Sequence, residues 1–322
     1  MIKKKSLVLG STGQDGALLS LSLLKQNYVV IGTSRKTQTH GLPEIANHAS
    51  LGIEKDIKLE NCDPEDFKQV KDIIEKYKPN EIYNLAAQSS VGKSYNYPQK
   101  TLKSIVDVTL NILEVCRHIK YDGRIFFAGS SEIFGNTESG AKISDPHKPV
   151  SPYGIAKQAS YNLVKMYRNL YNLKCVTGIL FNHESHMRSE DFVTQKIITG
   201  AINCSRNKSH KIRLGNLKIS RDWGWAEEYV EGIQLMNRSL NIKDQILCTG
   251  KSTKLEEFVQ IAFEQLNLNW KDHILLDKEF LRKSEIYTSY GDPTQMKDDL
   301  KWEAELNIHE IIEKLINYKI KS

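Results

Sequence analysis

Two residues with acid–base chemistry, Tyr153 and Lys157, are four positions apart in a segment whose pattern predicts a helix. At that spacing both side chains lie on one helix face, about 6 Å apart along the axis. An ammonium beside a phenol lowers the phenol pKa from its usual value of about 10, so the tyrosine would act as a base near neutral pH. This spacing also occurs on ordinary exposed helices, but the strand end and nucleotide-binding pattern upstream favour a catalytic pair.

A serine pair and a glutamate follow a predicted strand that ends at Ala128. The carboxyl ends of strands form the ligand-binding edge of open α/β folds, so Ser130, Ser131 and Glu132 are expected in one site with Tyr153. A serine hydroxyl can bond a substrate hydroxyl and relay its proton to the tyrosine. Hydride and proton exchange at one carbon needs no further acid, so Glu132 predicts a second proton transfer, next to a new ketone. The alternative is a helix-capping or surface glutamate.

Three glycines, Gly10, Gly13 and Gly16, are spaced G-x-x-G-x-x-G where the first predicted strand meets the first predicted helix. Glycine there permits a tight turn and a close approach of the backbone to a pyrophosphate, which then faces the helix N-terminus. This position favours dinucleotide binding over a simple turn. After the second predicted strand, Arg35 stands where NAD-binding proteins have an acid, and an arginine suits a 2′-phosphate. We therefore expect NADP rather than NAD, the alternative being a solvated basic loop.

Strand-like apolar runs alternate with helical patterns over the first 180 residues. The predicted strands are 6–10, 28–32, 81–85, 124–128 and 175–180, and the predicted helices are 17–24, 64–77, 101–117 and 153–171. This alternation predicts parallel β-α-β units in a Rossmann-type, doubly wound parallel sheet of the α/β class. We expect an NADP-binding Rossmann domain over 1–180, joined by part of 217–250. A smaller C-terminal α/β substrate domain is expected over 181–322, with the chain crossing between the two.

The composition excludes several classes of protein. The chain has 322 residues, 40% of them hydrophobic, and 45 Lys and Arg against 39 Asp and Glu give a net charge of +6. Five scattered cysteines without a Cys-x-x-Cys pair predict neither disulfides nor a metal site, and favour a cytoplasmic location. No apolar run approaches the roughly 18 residues of a membrane span, and no cationic run with interleaved aromatics indicates nucleic-acid binding.

Together these residues resemble the extended short-chain dehydrogenase/reductase family, and within it the GDP-mannose 4,6-dehydratases. The resemblance covers nearly the whole chain. Its most specific stretches are residues 10–16, 82–89, 151–157, 178–185, and 214–217 with 221–224. Asn182-His183-Glu184-Ser185 and Arg221-Asp222-Trp223-Gly224 discriminate the family much better than the glycine loop does.

The resemblance implies a lyase of nucleotide-sugar metabolism that makes a deoxysugar. Tyr153, helped by Ser130 and held by Lys157, would remove the proton of the C4 hydroxyl while the C4 hydride passes to NADP+. Glu132 would take the C5 proton beside the new ketone. Water would leave from C6, assisted by Glu132 or Ser131, and the hydride would return to C6. The reaction then has no net redox change.

The resemblance also implies two sets of binding residues. Those expected at the cofactor are Gly10, Thr12, Gly13, Gln14, Asp15, Gly16, Arg35, Asn61, Leu85, Ala86, Ala87, Gln88, Ser89, Tyr153, Lys157, His183 and Arg188. Those expected at the GDP-sugar are Ser130, Asn182, Val193, Lys196, Arg221, Arg282 and Glu285. Within the second set Lys196 would bind guanine, Arg221 the pyrophosphate and Glu285 the ribose. The alternatives are a solvated lysine at 196 and a surface ion pair at Arg282 or Glu285.

The chain departs from the usual family pattern at several positions. Ser130 replaces a threonine, Asn61 replaces an aspartate in the loop after the third strand, and Val150 replaces an arginine. Residues 90–94 lack the histidine and lysine that the family usually has near the sugar, and the loop from 35 to 55 is short. These departures leave open the exact sugar and the assembly, for which we expect a homodimer or a homotetramer.

The leading hypothesis is conversion of GDP-mannose to GDP-4-dehydro-6-deoxy-D-mannose. One alternative is the same chemistry on another GDP-sugar, such as a GDP-manno-heptose. Another is an NADPH-dependent reductase of the 4-keto product. A non-catalytic NADP-binding regulator on the same fold is a third, but it has no need of Ser130, Glu132, Tyr153 and Lys157 together.

Overall fold

A seven-stranded parallel sheet forms the centre of the molecule, for which a computed structural model describes residues 3–35, 46–281 and 284–321. The strands are β1 (Lys5–Leu9), β2 (Val29–Ser34), β3 (Lys58–Asn61), β4 (Glu81–Asn84), β5 (Arg124–Ala128), β6 (Cys175–Leu180), β7 (Asn182–Glu184), β8 (Ile212–Leu214), β9 (Ser220–Arg221), β10 (Trp223–Trp225), β11 (Gln245–Leu247), β12 (Thr253–Lys254), β13 (Ile274–Leu276) and β14 (Thr288–Ser289). The sheet has the order β11-β6-β5-β4-β1-β2-β3, with every neighbouring pair parallel. This order reverses between β1 and β4, the place where open α/β sheets bind ligands. The predicted doubly wound α/β fold is confirmed.

Helices cover both faces of the sheet. They are α1 (Gln14–Lys25), α2 (Ala46–Ser50), α3 (Phe67–Tyr77), α4 (Val91–Asn96), α5 (Pro98–Leu102), α6 (Val108–His118), α7 (Pro152–Tyr171), α8 (Val193–Arg206), α9 (Ala226–Arg238), α10 (Leu255–Glu264), α11 (Thr294–Leu300) and α12 (Ile308–Lys321). The single helix predicted over 101–117 is wrong in detail, because a π-helical turn at Lys103–Asp107 separates α5 from α6. The helix predicted from residue 64 begins at Phe67, after Asp66 accepts hydrogen bonds from the amides of Lys68 and Gln69.

Alternate residues of each central strand point to opposite faces and build two separate cores. Val8 and Tyr83 lie in the core that α1 and α9 cover. Leu7 and Ile82 lie in the core that α3, α6 and α7 cover. Since the strands are buried on both sides, they contain near-continuous apolar runs, which is why the sequence pattern reveals them.

The C-terminal part of the chain builds a third core and also returns to the central sheet. Side chains of α8, α10 and α12 pack together in this core. Strand β11, far along the chain, pairs with β6 in parallel, and α9 packs against α1. The chain therefore contributes to the sheet again after residue 181.

The start of α7 is fixed by a local cap. The Ser151 hydroxyl accepts a hydrogen bond from the amide of Gly154 at 3.0 Å, and Pro152 occupies the first helical turn, where it costs no hydrogen bond. The buried face of α7 includes Tyr153, Lys157 and Val164. The helical period thus turns both residues of the predicted catalytic pair toward the sheet.

The loop that the sequence suggests is short, from 35 to 55, falls partly on residues 36–45, which lie outside the described residues. Among the helices of the described ranges, none is long and apolar enough to cross a membrane.

Replacing Ser151 by alanine removes the cap that begins α7. We expect Ser151→Ala to lower the free energy of unfolding by about 1 kcal/mol, because an amide of the first turn loses its acceptor. Urea unfolding of the two proteins measures the difference. Asp66→Ala, which removes the equivalent cap of α3, should cost a similar amount, whereas no loss on Ser151→Ala would contradict the assigned cap.

Candidate active site

The loops after β1, β4 and β5 meet at the carboxyl edge of the sheet. Gly10 has φ of +80°, and a Cβ there would lie 2.9 Å from Cα of Ala86. The amide of Leu85 donates to the carbonyl oxygen of Leu9 at 3.0 Å. The glycine loop therefore contacts segment 85–89, which contains Leu85, Ala86, Ala87, Gln88 and Ser89 of the predicted cofactor set.

Ser130, Glu132 and Tyr153 lie together at this edge. The Ser130 hydroxyl accepts a hydrogen bond from the amide of Glu132 at 3.3 Å and also hydrogen-bonds the Tyr153 phenol. Both Ser130 and Tyr153 are only 8% exposed. The Glu132 carboxylate, half-buried, is near enough to raise the pKa of Tyr153. The carboxylate is therefore close enough for its charge to act on the phenol.

Lys157 does not act on Tyr153 in the way that the spacing predicts. Its Nζ donates to the carbonyl oxygen of Ala128 at 2.7 Å and lies 5.8 Å from the centroid of the Tyr153 ring. Burial raises the pKa of Tyr153 to about 12, which the Ser130 hydrogen bond only partly counters. Burial also lowers the pKa of Lys157 to about 8. The prediction of a lowered phenol pKa is wrong for this structure, because removing the phenolate from water outweighs the hydrogen bond of Ser130 and the charge of Arg188.

The glycine loop fits a dinucleotide. A Cβ on Gly16 would lie 2.2 Å from the carbonyl oxygen of Gly10, so only glycine lets α1 begin this close to β1. A Cβ on Gly13 would meet, within 4 Å, no described atom but that oxygen, at 3.5 Å. The backbone around Gly13 and Thr12 is therefore open at the positive end of α1, the kind of site that binds a pyrophosphate.

Other predicted cofactor residues join this loop to a distant segment. Nε2 of His183 lies 3.0 Å from both carboxylate oxygens of Asp15. The hydroxyl of Ser185 donates to Oε1 of Gln14 at 2.9 Å. Arg188 donates to the carbonyl oxygen of His183. The structure thus brings Gln14, Asp15, His183 and Arg188 together.

The residues predicted to select the cofactor lie at the ends of β2 and β3. Arg35 directly follows β2, is exposed, and lies 3.6 Å from Glu65. Asn61 is the last residue of β3 rather than part of the loop after it. That loop carries a carboxylate of its own, Asp63, which accepts from the amide of Glu65 at 3.1 Å. The structure thus places Asn61 directly before that loop, and its role at the cofactor stays a prediction.

Arg221 and Glu285 form a buried pair. Their Nη2 and Oε1 atoms are 3.2 Å apart, and Arg221 also donates to the carbonyl oxygen of Ile286 at 2.8 Å. Glu285 is therefore not in a surface ion pair. Arg282 lies outside the described residues.

The remaining predicted GDP-sugar residues precede this pair in the chain. Asn182 begins β7 and Val193 begins α8. One turn later in α8, Nζ of Lys196 lies 3.7 Å from the centroid of the Phe280 ring. Burial lowers the pKa of Lys196, so this amine is not a freely solvated one.

Sequence reasoning assigned no role to Asp222, next to Arg221. Its carboxylate is fully buried and accepts from the amide and hydroxyl of Thr249 at 2.8 and 2.7 Å and from the amide of Gly250 at 3.0 Å. Burial raises its pKa to about 6. Asp222 joins β9 to the loop after β11, and only its place in the Arg-Asp-Trp-Gly stretch marks it in the sequence.

Comparisons with known proteins agree with this geometry. The model of the family described as GDP-mannose 4,6 dehydratase matches residues 7–315. The chain belongs to the GDP-mannose 4,6-dehydratase family. GDP-mannose 4,6 dehydratase 1 of Arabidopsis thaliana is 35% identical, and the match covers 98% of this chain and 89% of that protein. GDP-mannose 4,6 dehydratase of Homo sapiens is 32% identical over 98% of this chain and 91% of its own.

Solved structures of more distant proteins share the fold of this GDP-mannose 4,6-dehydratase family member. dTDP-glucose 4,6-dehydratase from Bacillus anthracis, in complex with NAD, has a TM-score of 0.84 at 16% identity, covering 99% of this chain and 97% of its own. UDP-glucuronic acid 4-epimerase from Bacillus cereus has a TM-score of 0.86 at 18% identity, covering 98% and 99%. At such identities the likeness establishes the extended Rossmann fold alone.

The two inner glycines of the loop should respond differently to alanine. Gly13→Ala should leave the unfolding temperature unchanged but weaken dinucleotide binding at least tenfold, because the methyl group projects where the pyrophosphate would approach. Gly16→Ala should lower both the unfolding temperature and the affinity for the dinucleotide, because its Cβ would overlap the carbonyl oxygen of Gly10. Thermal unfolding and calorimetric titration measure the two effects. Gly92→Ala, whose Cβ has open space in α4, is the control, and unchanged affinity in Gly13→Ala would contradict a pyrophosphate at this loop.

Proposed function

We propose that the chain converts GDP-mannose to GDP-4-dehydro-6-deoxy-D-mannose and water, as a lyase with no net redox change. The observation that carries this proposal is the Glu132 carboxylate beside the Tyr153 phenol and Ser130, in a member of the GDP-mannose 4,6-dehydratase family. An epimerase or reductase needs a proton donor or acceptor at one carbon only, whereas a dehydratase needs one at C4 and another at C5 and C6.

A bound nicotinamide dinucleotide supplies the hydride acceptor and donor that the side chains cannot provide. We propose NADP rather than NAD, because Arg35 directly follows β2, has its guanidinium 57% exposed, and can pair with a 2′-phosphate. The open backbone at Gly13 supports the pyrophosphate position. The rest of the proposed cofactor set is segment 85–89, Tyr153, Lys157 and Asn61, with Asp63 as a further candidate in the loop after β3.

Tyr153 and Ser130 would handle the proton of the C4 hydroxyl. Once its own proton has left to solvent, the Tyr153 phenolate takes this proton as the alcohol becomes a ketone, and Ser130 orients the hydroxyl through its hydrogen bond to the phenol. Burial gives the phenol a pKa of about 12, so Tyr153 is protonated at rest. Lys157 then acts by its positive charge when the phenol loses its proton, and below a pH of about 8 it carries that charge.

Glu132 would perform the second proton transfer. The ketone at C4 acidifies the hydrogen at C5, and the Glu132 carboxylate takes it. Water leaves from C6 when the departing hydroxyl receives the proton that Glu132 took, either directly or relayed through the hydroxyl of Ser131, which is buried beside it. The substrate thus loses one water. The proton held by Tyr153 would then go to C5 as the hydride returns to C6, so that Tyr153 and Glu132 both end in the states in which they took part.

The GDP-sugar would lie between the sheet edge and the C-terminal part of the chain. Arg221 is proposed for the pyrophosphate, Glu285 for the ribose and Lys196 for guanine. Asn182, Val193 and Arg282 complete the proposed set. Residues 1–180, with part of 217–250, are proposed as the dinucleotide-binding domain, and the return of β11 to the sheet supports that division.

A homodimer is proposed from the outer face of α7. Ile155, Met166 and Leu170 are exposed apolar residues that the helical period places on one face. Such a stripe on a long helix is typical of a protein–protein contact. A second copy of the chain would cover it, and a tetramer would need a further surface.

Glu132→Gln should abolish dehydration while leaving binding intact. The amide cannot take the C5 proton, so we expect at least a hundredfold loss of water elimination from GDP-mannose. Mass analysis after incubation in deuterated water measures both the loss of one water and the solvent deuterium gained at C5. Glu138→Gln, an exposed glutamate of the same loop, should behave as wild type. Undiminished turnover in Glu132→Gln would refute the role of this carboxylate.

Leu170→Glu should dissociate the proposed dimer. A charge on the α7 stripe would be buried at the contact, which is unfavourable, so the mass in solution should fall to that of a monomer. Light scattering coupled to size-exclusion chromatography measures this mass. Leu240→Glu, at a residue 93% exposed after α9, should change nothing, and a wild-type monomer would contradict the proposal.

A further inference from the structure

Gln14 and Asp15 put two polar side chains where the glycine loop is proposed to bind a pyrophosphate. They are the first two residues of α1. A carboxylate in the first helical turn interacts favourably with the helix dipole, but it repels a phosphate bound at the same end. The Asp15 carboxylate therefore needs a positive partner if this loop is to hold a dinucleotide.

That partner comes from the segment that follows β6. Both carboxylate oxygens of Asp15 lie 3.0 Å from Nε2 of His183. The carboxamide of Gln14 accepts from Ser185 at 2.9 Å and donates to the carbonyl oxygen of His183 at 3.3 Å and to Asp15 at 3.0 Å. Arg188 donates to the same carbonyl oxygen. These bonds tie the start of α1 to a segment that is remote in the sequence.

The hydrogen bonds of His183 define its charge. Its Nδ1 lies 2.7 Å from the carbonyl oxygen of Phe181, which can only accept. Its Nε2 faces the carboxylate of Asp15. Because acceptors face both ring nitrogens, both carry protons and the ring is an imidazolium. Burial lowers the pKa of His183, but Asp15 raises it to above its usual value. Burial raises the pKa of Asp15, but His183, Gln14 and Arg188 bring it below its usual value.

His183 is also part of the framework around Arg221. It lies in β7, opposite Gly224 of β10 in the parallel pair. Strand β10 begins two residues after Arg221. The His183 ring stacks on Tyr229 of α9, with centroids 4.5 Å apart. A displacement of His183 therefore moves the strand pair next to the residue proposed for the GDP pyrophosphate.

We propose that the buried Asp15–His183 pair, with Gln14 and Ser185, couples the two nucleotide sites. A dinucleotide that fixes the start of α1 also fixes β7 through these bonds. A nucleoside diphosphate that then binds at Arg221 loses less free energy in ordering the protein, and so it binds more tightly. Coupling is reciprocal, so the diphosphate strengthens dinucleotide binding by the same factor. This inference rests on the proposed function for the identity of the two ligands. It makes Gln14 and Asp15 positioning residues rather than contacts of the cofactor.

Calorimetric titration of the full chain with GDP, with and without saturating NADP, measures the coupling. In wild type NADP should lower the Kd of GDP by about fivefold or more. Asp15→Asn keeps the size and an acceptor oxygen but removes the charge, so the two Kd values should agree within about twofold. Ser185→Ala removes only the bond to Gln14, so the ratio of its two Kd values should lie between those of wild type and Asp15→Asn. This variant tests the coupling if Asp15→Asn fails to fold.

Asp244→Asn is the matched control. Asp244 forms a buried pair with Arg168, their closest atoms 2.5 Å apart, away from both nucleotide sites. A loss of stability alone weakens binding of each ligand but leaves the ratio of Kd values intact, so Asp244→Asn should keep the wild-type factor. Equal Kd values in wild type, or a wild-type factor in both Asp15→Asn and Ser185→Ala, would overturn the coupling. Failure of wild type to bind GDP or NADP at all would instead overturn the proposed function.

Discussion

The hydrogen bond from Nζ of Lys157 to the carbonyl oxygen of Ala128, 2.7 Å long, joins α7 to the end of β5. Lys157 and Tyr153 are one turn apart on the buried face of α7, so this bond also sets how deeply the phenol lies. Ser130 and Glu132 come two and four residues after Ala128, and their distances from the phenol depend on the same contact. Burial of the amine costs free energy, as its lowered pKa indicates, and the apolar packing of α7 against the sheet offsets that cost.

Much of this arrangement is predictable from local pattern. The apolar runs of the central strands are recognisable because parallel strands are buried on both faces. The spacing of Gly10, Gly13 and Gly16, and that of Tyr153 and Lys157, directly reflects turn and helix geometry. The carboxyl-edge rule for open α/β sheets then places these residues in one site, which is where the structure brings them together.

What could not be predicted depends on contacts between distant segments or on burial. Arg221 and Glu285 are 64 residues apart and pair only because β9 lies beside β14. The raised pKa of Tyr153 follows from its desolvation, which residue spacing does not report. Strand β3, which ends at Asn61, is hard to recognise for another reason, because it is short and has no buried residue, so no apolar run marks it.

Strand β11 has a consequence for how the chain acquires its structure during synthesis. Every residue of β6 is buried, and on one side its backbone partner is β11, which is synthesised only after α8 and α9. Until then β6 is an uncovered apolar edge, open to pairing with another nascent chain. Completion of the sheet must therefore wait for the C-terminal part, and a fragment that stops at residue 180 should aggregate rather than persist as an independent nucleotide-binding unit.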